Sequence, residues 1–268
     1  MSESAREPDP RETFRRYAGL ITSALRSSGT AGSAAFSAED QRLVVVDRTG
    51  HSRPVYRPLL AYCWLQAFAL AYEVLPRSEF GRWEEALRTW CDDLEARLGE
   101  FVWPSGPLYA ALGDRAAEAA WIALALRVAG KVFIRDAWTD LAGDVFGKLT
   151  KRQQESGAFL AGDLSDNPET RWYHELLILH AVAAAGMQSG DADLITAAKR
   201  NAAWHLAETQ PDHATNQPWG LLAFLLDPAT FSLADGLLHN AAAQPAAGGW
   251  SLLTLMLLGD ALYCARFS

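Results

Sequence analysis

Positive charge is scarce in this chain: 24 lysines and arginines face 32 aspartates and glutamates, for a net charge of −8. No basic cluster offsets that field, which argues against a nucleic-acid or anionic-membrane binder. Long apolar runs are also lacking. Gln66, Arg127, His180 and Asp260 interrupt them short of the roughly 18 residues that a membrane span needs. Cysteine is sparse. Cys63, Cys91 and Cys264 all fall inside apolar helical patterns, as small hydrophobes do, so a disulfide framework is not indicated and a cytoplasmic chain is expected. Residues 1–16 carry no apolar signal core. There is no HExxH, no CxxC pair, no Gly-rich phosphate loop and no GxSxG, which removes support for zincin, zinc-ribbon, P-loop and α/β-hydrolase readings. His51, His174 and His213 show no metal-ligand spacing, so neither a metal nor another cofactor is expected.

What is abundant is apolar helix of two kinds. The segment 59–72 holds one strongly polar side chain, Gln66, and 219–226 holds none, so both need apolar neighbours all round. By contrast Phe80, Trp83, Leu87, Trp90, Cys91, Leu94 and Leu98 fall on one stripe, with Glu84, Glu85, Arg88, Asp92, Glu95 and Arg97 opposite. The pattern predicts inner helices near 57–74, 108–129, 169–186, 216–226 and 249–264. Amphipathic outer helices are predicted near 12–27, 79–98, 135–152, 191–209 and 230–243. The fold class is all-α: five outer-inner helix pairs forming an α/α toroid or a helical-pair solenoid in one domain, 12–268, after a disordered 1–11. Arg42 to Val46 and His51 to Tyr56 flank the turn signal Asp47-Arg48-Thr49-Gly50, which predicts a small β-hairpin near 42–56.

Links from an inner helix to the next outer one are brief, whereas those from outer to inner are long. A site is therefore expected on the elaborated rim, where the inner helices begin. Helix N-termini and their free N–H groups there favour an anionic ligand. The candidate proton-transfer residues are Tyr173, His174, Glu118 and Glu175, and the candidate substrate contacts are Arg57, Arg171, Asn216, Gln217, Trp103 and Trp172. Each has a plainer role available. Arg171 and Glu175 have the spacing of a surface ion pair, as do Arg115 and Glu118 within one turn, and Asn216 or Gln217 can cap a helix. The recurring tryptophans serve as packing for the inner layer. His180 reads as a core histidine, and Asp260, ten residues beyond Trp250, as a structural residue toward the opposite end.

The alternation of helix types over nearly the whole chain resembles the α/α-toroid group, which includes polysaccharide lyases, glycoside hydrolases, sugar epimerases and terpenoid cyclases. Gln154-Glu155-Ser156-Gly157-Ala158-Phe159 is similar to the Gln…Gly…Phe turn that precedes inner helices in such toroids. Tyr173-His174 falls where lyases of this architecture often carry a tyrosine and a histidine. The aspartate-rich motifs of the cyclases and the Asn-His pair of alginate- and heparin-type lyases are not matched. The resemblance implies a carbohydrate-active enzyme, lyase or hydrolase, that binds an acidic saccharide in a funnel. In a lyase, Arg57, Arg171 or Asn216 would neutralise the substrate carboxylate while Tyr173 or His174 removes the neighbouring proton. In a hydrolase, Glu118 and Glu175 would be acid and base. The alternative class is a non-catalytic helical scaffold whose rim docks a partner.

Overall fold

The computed structural model describes residues 43–46, 52–55, 62, 81–99, 113–160, 168–215, 217–242 and 252–265. The expected disordered start, the outer helix near 12–27 and all of the inner helix near 57–74 except Tyr62 lie outside those residues.

The described part is almost wholly helical. Its helices are α1 (Gly81–Gly99), α2 (Gly113–Phe133), α3 (Asp136–Arg152), α4 (Pro168–Ser189) and α5 (Ala192–Glu208). They continue with the single turns α6 (Pro211–Ala214) and α7 (Leu221–Phe224), a 3-10 turn at Pro228–Thr230, α8 (Phe231–Ala242) and α9 (Leu252–Ala265). Two short strands, β1 (Leu43–Val46) and β2 (Ser52–Val55), pair antiparallel with Leu43 opposite Val55 and Val46 opposite Ser52. Among the described residues no helix is long and apolar enough to cross a membrane.

Two kinds of helix are visible in what each one buries. Every residue of α4 from Glu175 to Gly186 is buried, and α2 is enclosed at Ala116, Ala117 and from Ala119 to Leu126. Their alanines keep the helix surface thin, so neighbours approach closely. On α3 only Trp138, Ala142, Val145, Phe146 and Leu149 are buried, the single stripe of a helix with one wet face. The packing follows this division: α2 lies against α1, α3 and α4, α4 against α2, α5, α7 and α9, and α3 against α5.

The links from inner to outer helix are tighter than the sequence suggests. The amide of Arg135 donates to Gly130 O at 2.8 Å, and that of Asp191 to Gly186 O at 3.1 Å. In both cases the residue before the donor is left-handed, Ile134 at φ 55° and Gly190 at φ 67°. This is the Schellman closure, which satisfies a carbonyl of the last helical turn. A side chain at Gly130 would put its Cβ 2.4 Å from Thr139 Oγ1, so the glycine is what lets α2 meet α3. Beyond the turn, the Arg135 guanidinium spans Asp92 Oδ1 at 2.6 Å and Glu95 Oε2 at 2.8 Å on α1. Glu95 Oε2 also accepts the indole N–H of Trp138 at 2.7 Å.

The inner helix expected over 216–226 is corrected: only Leu221–Phe224 is α-helical. Pro218 offers no N–H, and Gly220 is left-handed at φ 74°, so the chain cannot enter a regular helix before Leu221.

Candidate functional site

At the start of α4 the chain first forms the turn 153–160, which is pinned to α5. The side-chain amide of Gln153 donates to Gly157 O at 2.9 Å and to Ala197 O at 2.8 Å, and Asn201 Nδ2 donates to Gly157 O at 3.0 Å. Gly157 has φ 98°, and a Cβ there would lie 2.5 Å from Arg200 O, so both conformation and space demand glycine.

Glu175 is the anchor of this turn. Its Oε1 accepts the amide of Leu160 at 2.7 Å, and its Oε2 accepts the amide of Phe159 at 2.9 Å and Asn201 Nδ2 at 3.0 Å. Burial pushes its carboxyl up to about 7, against the lowering effect of those three donors and of Arg171. The surface pair suggested by spacing is not what forms: Arg171 instead donates to Leu160 O at 3.2 Å, with its guanidinium 5.4 Å over the Trp204 ring. Glu175 is fully buried, with both oxygens engaged. One turn along α5, the buried His205 has its Nδ1 2.7 Å from Thr209 Oγ1, while desolvation drives its pKa down to about 3.

The other candidate residues lie at different depths. Tyr173 is buried, its ring 5.8 Å from that of His174 and edge-on to Trp219 at 6.3 Å. His174 and Glu118 are partly exposed, as is Trp172, which packs on the core. Gln217 is buried, and its Oε1 accepts the hydroxyl of Thr254 at 2.5 Å, which joins the approach to α7 with the first turn of α9. Arg57, Trp103 and Asn216 lie outside the described residues. The thiol of Cys91 is pushed up to about 12, first by burial and then by Asp92, which makes it inert as a nucleophile.

Deeper in the core, residues from each of the segments expected to be inner converge. Trp121 of α2 stacks on His180 of α4, centroids 5.6 Å apart and planes at 18°. Trp219 meets Trp121 at 5.5 Å and His180 at 6.1 Å, both edge-on. Tyr62 packs edge-on to Trp121 and donates its hydroxyl proton to Asp260 Oδ2 of α9 at 2.8 Å. Asp260 Oδ2 also lies 3.1 Å from His180 Nε2, and Gln188 Nε2 donates to the Tyr62 hydroxyl at 3.1 Å. Sequence reading set His180 and Asp260 apart and passed over Tyr62. The available signal was two ionisable residues placed inside otherwise apolar helices, a local inconsistency that marks a special site.

The chain matches no protein-family model, and neither the curated proteins nor the solved structures contain a match to it.

Proposed function

We propose that the chain closes five outer-inner helix pairs into an α/α toroid, a single domain with β1 and β2 as a small hairpin. We further propose that it is a cytoplasmic carbohydrate-active enzyme whose funnel accepts an acidic saccharide. Ring closure is supported by the bond between Tyr62 of the first inner segment and Asp260 of the last, 198 residues apart. The observation that carries the functional reading is the placement of His174. It stands partly exposed on the first helical turns of α4, its ring against Tyr173, which in turn abuts Trp219.

The burial of Glu175 favours one of the two chemistries over the other. Fully buried and already accepting three N–H donors, it is shut off from a water or a glycosidic oxygen, which counts against the hydrolase pair with Glu118. Elimination is the chemistry we propose. His174 takes the proton from the carbon beside the substrate carboxylate, the electron pair forms the new carbon–carbon double bond, the C–O bond at the next carbon breaks, and the departing oxygen recovers that proton from the imidazolium and leaves as an alcohol. Arg57 or Asn216 is the group assigned to the carboxylate, since Arg171 is already spent on Leu160 and Trp204.

Incubation with a panel of uronate polymers, followed by absorbance of the unsaturated product, tests this. Turnover that disappears in His174→Ala at unchanged thermal stability is the expected result. Silence toward every polymer, with no thermal shift from any saccharide, overturns it. A second reading, a non-catalytic helical scaffold that docks a partner, is favoured by the filled axis, where Trp121, His180 and Trp219 are all fully buried.

A further inference from the structure

Arg127 stands where an inner helix has little use for charge. From Ala119 to Phe133, α2 is apolar except for Arg127 and Lys131. Ala123, Leu124 and Gly130, one turn away on either side, are buried, and Arg127 itself is half-buried. Its Nε is buried without a hydrogen-bond partner, and among the described residues no ion pair neutralises the guanidinium. Burial lowers its pKa, against the raising effect of Asp191. Asp191 is already engaged as the N-cap of α5, where its Oδ1 accepts the amides of Asp193 and Leu194.

Helix-end electrostatics account for Lys131 but not for Arg127. Lys131 lies in the last turn of α2, and its Nζ donates to Gln188 O near the end of α4 at 2.9 Å. Arg127 lies more than one turn before Phe133, beyond the reach of that field. The two cations are four residues apart on one face, where like charges repel. The ammonium of Lys131 is accordingly held below its usual range, first by burial and then by Arg127. A desolvated cation with unspent donors, beside a second cation that solvent reaches, is the complement of an anion.

We propose that Arg127 and Lys131 bind an oxyanion, the carboxylate or phosphate group of a small ligand. The guanidinium offers paired N–H donors to two of its oxygens, and the ammonium adds a third. The site lies about 21 Å along α2 from Gly113, remote from the first turns of the inner helices and independent of the carbohydrate reading.

Nitrogen NMR of protein labelled at arginine Nε, titrated with sodium acetate, inorganic phosphate or sodium chloride at matched ionic strength, reads the site directly. The resonance of Arg127, assigned by its loss in Arg127→Met, should shift saturably with acetate or phosphate and not with chloride. A response to acetate alone marks a carboxylate site, and a tighter response to phosphate a phosphate site. Lys131→Gln keeps a donor for Gln188 O and should weaken binding about tenfold. Arg127→Met keeps the apolar stem and removes the unneutralised charge. It should unfold at a higher temperature than the parent, and phosphate should no longer raise that temperature. A shift that chloride reproduces, unchanged affinity in Lys131→Gln, or a lower unfolding temperature in Arg127→Met overturns the proposal.

Discussion

Glu175 and His205 place opposite demands on stability, and their sum is a pH profile that one substitution can unmask. Burial raises the Glu175 pKa from 4.5 to about 7 and lowers that of His205 from 6.5 to about 3. For Glu175 the folded value lies above the unfolded one, so its contribution is full below pH 4.5 and is lost as pH rises through about 7. For His205 the folded value lies below, so its contribution is full above pH 6.5 and is lost as pH falls toward about 3. Between pH 4.5 and 6.5 the unfolded chain carries the proton on His205 and the folded chain carries it on Glu175. The two states then bind equal numbers of protons at this pair, and its net slope is zero. Either group alone gives about 1.4 kcal/mol per pH unit.

His205→Phe should therefore impose a stability that falls with rising pH across that window, by about 3 kcal/mol in all. Phenylalanine suits the site, because Trp204 and Phe224 flank it and Thr209 Oγ1 keeps its bond to the backbone carbonyl of residue 205. Glu175→Gln should produce the opposite tilt. Its amide NH2 also opposes an N–H donor of the turn, a cost of about 1–3 kcal/mol that does not vary with pH. Urea unfolding at half-unit steps from pH 4 to 7.5 measures the slopes, and charges common to all three proteins cancel in the differences. Parallel profiles for wild type and both variants would refute the reasoning.

Ile134 is β-branched, left-handed and 89% exposed, so Ile134→Gly removes backbone strain while sacrificing little packing. It should stabilise the chain by about 1 kcal/mol and raise Tm by about 2–4 °C, which calorimetry will show. Gly157→Ala meets both a forbidden φ and the Arg200 carbonyl and should cost about 3 kcal/mol in urea unfolding; a loss near zero would mean that the turn relaxes freely. Trp138→Phe removes the indole N–H from Glu95 and should cost about 1–2 kcal/mol, a loss that Glu95→Gln should reduce if charge assistance gives the bond its strength.

The outer helices were legible because a helix with one wet face writes its period into the sequence: the stripe from Trp138 to Leu149 is readable from composition alone. Helix ends were less so. The closure after α2 uses the left-handed conformation at Ile134, where the usual signal is glycine, so the helix runs to Phe133 rather than stopping near Ala129. Glu175 was misplaced because i,i+4 spacing names Arg171 as its partner, while its actual partners are amides of a turn 15 and 16 residues earlier in the chain. The cluster of Tyr62, His180 and Asp260 was hidden for the same reason at greater range. Nothing near Tyr62, His180 or Asp260 in sequence shows that three distant apolar segments bring them to one point.

That separation sets an order of events for the growing chain. Tyr62 and His180 emerge from the ribosome while Asp260, the acceptor they share, is still unmade. The contacts of α2 with α3 and of α4 with α5 join neighbours in sequence and can form early. The bonds to α9 close the longest loop described in the molecule and come last. Until then the hydroxyl and the imidazole lack their carboxylate, and a chain cut before Leu252 would keep its sequence-local helix pairs but never make these bonds.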